Sequence, residues 1–261
     1  DAGFRSFIVG IGGSATNDGG AGMAQALGVR LLDAGGLDLS FGGAELSRLA
    51  RIDTSGLDPR AGESTFSVAC DVNNPLTGPE GASAVYGPQK GATPETVAQL
   101  DAALSHLADV VRSDIGVEID EVPGAGAAGG LGGGLIAFLK GRLRTGVDIV
   151  LDAVGLDGHL QGADLVITGE GCLDFQTVYD KAPIGVARRA KSRGIPVISI
   201  SGSLGDRYRD VHQHGIDAAS AITWGPMTLA DSSSNAAELV ASATEQAMRY
   251  MRVGGQVFGG R

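Results

Sequence analysis

The stretch Gly10-Ile-Gly-Gly-Ser-Ala-Thr-Asn-Asp-Gly-Gly-Ala-Gly22 constrains the fold of this chain more than any other. A short apolar run, Phe7-Ile-Val9, leads into it, and a helix-like Gly22-Met-Ala-Gln-Ala-Leu27 leads out. Strand, glycine loop and helix in that order belong to α/β folds, where they turn backbone N–H groups toward an anion. Glycine reaches φ > 0 and carries no Cβ to hold a phosphate away from the backbone. Ser14, Thr16 and Asn17 add side-chain donors, and Asp18 adds a carboxylate able to hold Mg2+. The loop reads as a phosphate-handling element.

Composition narrows the partners. The 43 glycines among 261 residues far exceed the usual share of about 7%. They cluster between apolar runs, as ligand loops do, and are not spread as a flexible linker. A net charge of −10 argues against nucleic acid or an anionic membrane as partner. No apolar run approaches the roughly 20 residues that span a bilayer, and no export signal is visible. Cys70 and Cys172 lack metal-ligand spacing and make no disulfide framework, which points to a reducing cytoplasm. The length accommodates one large or two ordinary α/β domains; the expected division is into 1–160 and 161–261. Asp1 is not an initiator methionine, so the expectation is a chain that starts inside a longer protein.

Further along, Val29-Arg-Leu-Leu-Asp33 reads as a strand before a Gly35-Gly36 turn, and Glu45 to Ile52 as a short helix or strand pair. Thr65-Phe-Ser-Val-Ala-Cys70 alternates as a strand and empties into Asp71-Val-Asn-Asn-Pro75. Ligands sit at the carboxyl ends of strands in open α/β sheets, which places Asp71, Asn73 and Asn74 well. Lys90, between small and rigid residues in Gly87-Pro-Gln-Lys-Gly-Ala-Thr93, suits a positioned cation, with a solvated surface lysine as the alternative. Thr93, Pro94 and Glu95 read as N-cap, first-position proline and first-turn acid. Val97, Leu100, Leu104, Leu107 and Val111 then follow at helical spacing until Gly116. His106 on this helix reads as structural.

Pro123 to Gly134 contains a second glycine run, with a Gly-x-Gly-x-x-Gly match but no preceding strand, so it fails as a dinucleotide signal. Leu131, Leu135, Phe138 and Leu139 make a glycine-rich helix, against which a ligand or another backbone packs closely. In the last third, strands Asp164–Thr168, Pro196–Ile200 and Ala221–Thr223 alternate with a helix over Pro183–Arg193. That order implies a parallel sheet covered by helices. Asn235 with Glu238 reads as a capping box for a final helix, and Gly254–Arg261 as a frayed tail.

Carboxylates stand beside glycines in three strand-end loops: Asp18, Asp71, then Glu170 with Asp174, followed by Lys181. Phosphoryl transfer uses such a set, because its catalysis is mostly positioning and charge neutralisation. No Walker A or protein-kinase signature is present. Gly10, Gly12 and Ala15 with Asp33 also fit a dinucleotide fingerprint. The residues alone leave a kinase, a dinucleotide enzyme and a non-catalytic binding module open.

Five longer motifs add a resemblance. GIGGSATNDGGAGMAQALG, ACDVNNPLTGPEGA, YGPQKGAT, PGAGAAGGLG and TGEGxxDxQTxxxKAPIGVA occur in the order seen in bacterial type I glycerate kinases, over nearly the whole chain. The resemblance implies two α/β domains with a cleft between them, one Rossmann-like. It implies transfer of the ATP γ-phosphate to D-glycerate with Mg2+, giving 2-phosphoglycerate. By the same resemblance Gly12, Gly13, Ser14, Asn17 and Asp18 would be phosphate or substrate residues, as would Asn74 and Glu170; Thr16 and Lys90 join them on the reading of the residues above, and Asp18 is also a catalytic candidate. Asp71 or Asp18 would hold the metal, Asp174 would act as base or metal ligand, and Lys181 would neutralise phosphate charge.

The chain also departs from the family. The family's opening Asp-Ser-Phe-Lys loop and its acidic Ala-Asp-Gly-Gly-Glu-Gly segment are not found. Cys172 stands where an arginine is expected, removing a bidentate clamp, and Asp180 where a glycine precedes the lysine. A catalytically impaired relative that only binds ligand therefore stays beside the kinase, as does an NAD-dependent oxidoreductase. A sheet lacking its first strands would expose an edge, which predicts self-association.

Overall fold

Phe7-Ile-Val9 forms the middle of β1 (Ser6–Gly10), and Phe7 stacks on Phe66 of the neighbouring strand with ring centroids 5.3 Å apart. A computed structural model describes residues 2–179 and 181–258 and divides the chain into two compact units, 1–149 and 150–261. The sequence placed the division at 160, whereas the units part between Ile149 and Val150. Each unit has its own parallel sheet and its own core.

In the first unit β1 is followed by α1 (Ala21–Ala26), β2 (Arg30–Leu32), β3 (Arg51–Asp53) and α2 (Pro59–Gly62). Next come β4 (Thr65–Ala69), α3 (Ala82–Tyr86), α4 (Pro94–Ile115), α5 (Leu131–Leu139), β5 (Arg142–Arg144) and the start of α6 (Gly146–Ala153). The parallel sheet has the order β1-β4-β5, with Val9 opposite Val68 and Val68 opposite Leu143. Val68, on the central strand, is completely buried.

The 22 residues of α4 begin where the capping signals put them. Thr93 accepts the N–H of Thr96, Pro94 occupies the first turn, and Gly116 closes the helix at φ +77°. Leu104, Leu107 and Val111 are buried on one face. His106 is structural as expected: its Nε2 bonds the Leu49 carbonyl at 2.6 Å, and a carbonyl only accepts, so Nε2 carries the proton. The ambiguous Glu45–Ile52 stretch is a 3-10 turn over Gly43–Arg48 followed by β3, which pairs antiparallel with β2.

The second unit contains α7 (Leu156–His159), β6 (Val166–Thr168), β7 (Cys172–Leu173), α8 (Ala182–Lys191), β8 (Val197–Ser201) and β9 (Ser203–Leu204). It ends with β10 (Ala218–Ala221), α9 (Leu229–Ser234) and α10 (Ala236–Phe258). Its sheet is parallel in the order β10-β8-β6, and β7 pairs parallel with β9 at the strand ends. Val197 of β8 packs with Ala187 of α8, Val211 and Ile216 in a core where all four are completely buried.

Three local expectations need correction. The third strand runs Ala218–Ala221 and stops where Ala221–Thr223 was expected to begin, because residues 218–221 are the ones paired with Ile198–Ser201. Asn235 makes no capping box; its side-chain amide donates to the Asp231 carbonyl at 2.9 Å and so closes α9. The expected tail is helical through Phe258, and residues 259–261 lie outside the described residues. Glycine in a helix costs about 1 kcal/mol but does not block the hydrogen-bond ladder as proline does.

Candidate active site

The first loop owes its shape to the second glycine run. Gly19 N–H donates to the Gly129 carbonyl at 3.0 Å. A Cβ on Gly129, whose φ is +72°, would lie 2.0 Å from the Thr16 carbonyl oxygen. One on Gly134 would lie 2.3 Å from the Gly19 oxygen. Another backbone fills the space beside Gly129 and Gly134, whereas Ala127 and Ala128 of the same run border a cavity. Gly10, Gly12 and Gly13 differ: a Cβ there would meet nothing within 4 Å. Their bare backbone borders open space, and Gly13 sits at φ +74°.

Gly12, Gly13 and Ser14 line a cavity of about 320 Å³ together with Asp71, Tyr86 and Lys90. Lys90 Nζ donates to Ser14 Oγ at 2.9 Å and to the Thr16 carbonyl at 2.6 Å. An ammonium has three N–H bonds, so one remains for a ligand. Burial pushes this ammonium below the ordinary lysine range, and the charge of Asp18 opposes that shift. Asp71, just past β4, accepts Gly146 N–H through Oδ1 at 2.7 Å. Its Oδ2 has no protein donor among the described residues. Cys70 lies beside it, its thiol pushed upward by burial.

The other expected residues of this unit serve the loop from behind. Asp18 accepts the N–H groups of Gly20 and Gly22, both at 3.1 Å, and so ties the loop to α1. Asn17 Nδ2 donates to Ser83 Oγ at 2.8 Å, while Asn17 Oδ1 is buried without a partner. Asn74 uses both ends of its amide: Nδ2 donates to the Glu80 carbonyl at 2.7 Å, and Oδ1 accepts from Tyr86 at 2.6 Å. Asn74 therefore holds Tyr86, the first residue of the YGPQKGAT motif but not one of the expected site residues, at the cavity wall.

Asp33, which supported a dinucleotide fingerprint, is bound into its own turn. It accepts from Gly35 and Leu37 N–H and pairs with Arg48 at 2.9 Å, all of which lower its pKa. Moreover β2 does not lie beside β1, as that fingerprint requires; it belongs to a separate antiparallel pair.

In the second unit β6 ends at Thr168, and Gly169 is needed because a Cβ there would lie 2.1 Å from the Ile200 carbonyl oxygen. Glu170, Asp174 and Lys181 then converge. Lys181 Nζ is 3.8 Å from both Glu170 Oε2 and Asp174 Oδ1, distances of charge contact and not of hydrogen bonding. Thr177, a second residue missed as a site candidate, bonds to both acidic residues. Cys172 is exposed in β7. Asp180 lies outside the described residues.

Among the described residues no three His, Cys, Asp or Glu side chains gather as a metal cage, and no helix is long and apolar enough to cross a membrane. Mg2+ needs no such cage, since one or two carboxylates with phosphate and water suffice. Asp71 fits that chemistry, with one oxygen unclaimed at the cavity. Asp18 fits it less well, with both oxygens already accepting N–H bonds.

The model of the glycerate kinase family matches residues 1–252. A glycerate kinase of Halalkalibacterium halodurans is 53% identical over 97% of this chain and 66% of the relative. A glycerate 2-kinase of Escherichia coli is 48% identical over 97% of this chain and 67% of the relative. A crystal structure of a protein provisionally designated glycerate kinase 2, from Salmonella typhimurium LT2, superposes with a TM-score of 0.77 at 50% identity. It covers 97% of this chain and 66% of that one. The chain thus spans about two thirds of the length of these relatives, and on these matches it belongs to the glycerate kinase family.

Proposed function

We propose that this chain carries the site residues of an ATP-dependent glycerate kinase, which transfers the γ-phosphate to D-glycerate and yields 2-phosphoglycerate. The observation that carries the reading is the cavity in the first unit. It combines the bare backbone of Gly12 and Gly13, the spare N–H of Lys90 and the unclaimed oxygen of Asp71. A phosphate there meets N–H donors and an ammonium, and Mg2+ on Asp71 would neutralise charge on the phosphate oxygens. In the second unit Asp174 serves as the base for the acceptor hydroxyl, and Lys181 supplies positive charge to the transferred group. Two unpaired thiols suit the reducing cytoplasm in which such a kinase would work.

The test is coupled ATP turnover with D-glycerate and Mg2+ on this chain, with the product identified by phosphorus NMR. Turnover giving 2-phosphoglycerate is expected. Formation of 3-phosphoglycerate would overturn the product assignment. Cys172 favours a second reading, a relative that binds ligand without turnover, because its exposed thiol cannot clamp an anion as an arginine does. In that case the chain binds ATP or D-glycerate but is silent, and Cys172→Arg with Asp180→Gly restores turnover.

A further inference from the structure

Thr177 is completely buried although its side chain is polar, and a buried hydroxyl is tolerated only when its bonds are made. Its Oγ1 accepts the N–H of Asp174 at 3.0 Å and donates to Glu170 Oε1 at 2.5 Å. The directions are fixed, because an N–H cannot accept, an ionised carboxylate cannot donate, and the hydroxyl has one proton. The Thr177 N–H also bonds the Asp174 carbonyl at 3.0 Å, so one residue grips both acidic positions. With Oε1 held by Thr177, it is Oε2 of Glu170 that stands 3.8 Å from Lys181. The β-branch leaves few rotamers to a side chain packed this tightly.

We propose that Thr177 is a positioning residue for the phosphoryl transfer, and the inference rests on the kinase reading above. It sets which oxygen of Glu170 faces Lys181, and it holds Asp174 in the same turn without touching the reacting atoms.

Four variants of the full chain test this: Thr177→Val, which keeps the volume and deletes the hydroxyl, Thr177→Ser, Glu170→Gln, and the double variant Thr177→Val/Glu170→Gln. Thr177→Val is expected to lower kcat roughly 10- to 100-fold, as misplacement of a reacting group does, with KM for either substrate changed less than about threefold. Serine keeps kcat within about threefold of the unaltered chain. In the Glu170→Gln background the valine costs at least about threefold less than in the unaltered chain, because only its hold on Asp174 is left to lose and coupled residues are not additive. Equal losses in both backgrounds, or a serine variant as poor as the valine one, would overturn the proposal. Should the valine variant not fold, Thr177→Ala carries the same comparison. Hydrogen exchange at the Asp174 amide gives an answer that does not depend on turnover. That amide is expected to exchange at least about tenfold faster in Thr177→Val and unchanged in Thr177→Ser. Unaltered exchange in the valine variant sinks the positioning role, whereas an inactive chain with the expected exchange sinks only the kinase reading.

Discussion

The two candidate regions are built from different materials. In the first unit the loop is backbone laid on backbone: Gly19, Gly129, Gly130 and Gly134 approach so closely that side chains are excluded. In the second unit the site is a set of charges, Glu170, Asp174 and Lys181, arranged by the buried hydroxyl of Thr177. One is shaped by steric exclusion and the other by hydrogen bonds. They should therefore fail differently: the first by losing its fold, the second by losing its chemistry.

Gly129 offers the strongest way to break that contrast. Gly129→Ala places a Cβ 2.0 Å from the Thr16 oxygen at a φ of +72°, and no flexible side chain can give way. A loss of about 3 kcal/mol or more is expected, read as faster exchange of the Gly19 amide that bonds Gly129. Gly12→Ala is the control inside the same loop. Its Cβ meets nothing within 4 Å, so stability should move by less than about 0.5 kcal/mol. Binding of ATP or phosphate should weaken, because a methyl group then occupies the cavity wall. If Gly12→Ala unfolds the loop or Gly129→Ala does not, the division between packing glycines and ligand-facing glycines is wrong.

A smaller effect is expected at Lys90, where the two materials meet. Lys90→Met keeps the stem but deletes the bonds to Ser14 and to the Thr16 carbonyl. The side chain is partly exposed, so stability should fall by only about 1 kcal/mol. Anion binding should fall much further, measured by calorimetric titration with ATP. Equal binding by the variant would make Lys90 a loop strut and nothing more.

These distinctions explain what could be read from the sequence. The order of strand and helix, the α4 cap at Thr93 and Pro94, and the buried stripe Leu104, Leu107 and Val111 follow from local spacing, and the structure has them. The five motifs carried the family. The role of Pro123–Gly134 could not be read, because a phosphate and a neighbouring backbone make the same demand for a missing Cβ. Thr177 is a fixed letter of the fifth motif, yet its role was hidden for a related reason. A threonine in a polar turn has no periodic signature, and neither its burial nor its bond to Glu170 seven residues earlier follows from local spacing. Asn235 shows the converse, a good local capping pattern overruled by a nearer carbonyl at Asp231.

The smallest expected effect sharpens the comparison through pH. Asp217, just before β10, accepts Lys191 Nζ at 2.6 Å and the Val197 N–H at 2.7 Å, linking the end of α8 to the start of β8. The Lys191 bond first, and the Val197 bond after it, hold its carboxyl below the usual 3.8. A carboxyl with a depressed pKa stabilises the fold at pH values above 3.8, and that contribution is lost as pH falls through the folded-state value. Asp217 is substantially exposed, so Asp217→Asn should cost about 1 kcal/mol or less at pH 7. Urea unfolding followed through Trp224, the single tryptophan and a member of the second unit, reads the difference. The gap between the unaltered chain and Asp217→Asn should narrow toward zero below pH 3.8. The penalty of Gly129→Ala should not change over the same range, because its clash with the Thr16 oxygen involves no titrating group. A gap at Asp217 that persists in acid would mean that shape, and not charge, holds this corner of the second unit, and the contrast between the two units would lose one of its supports.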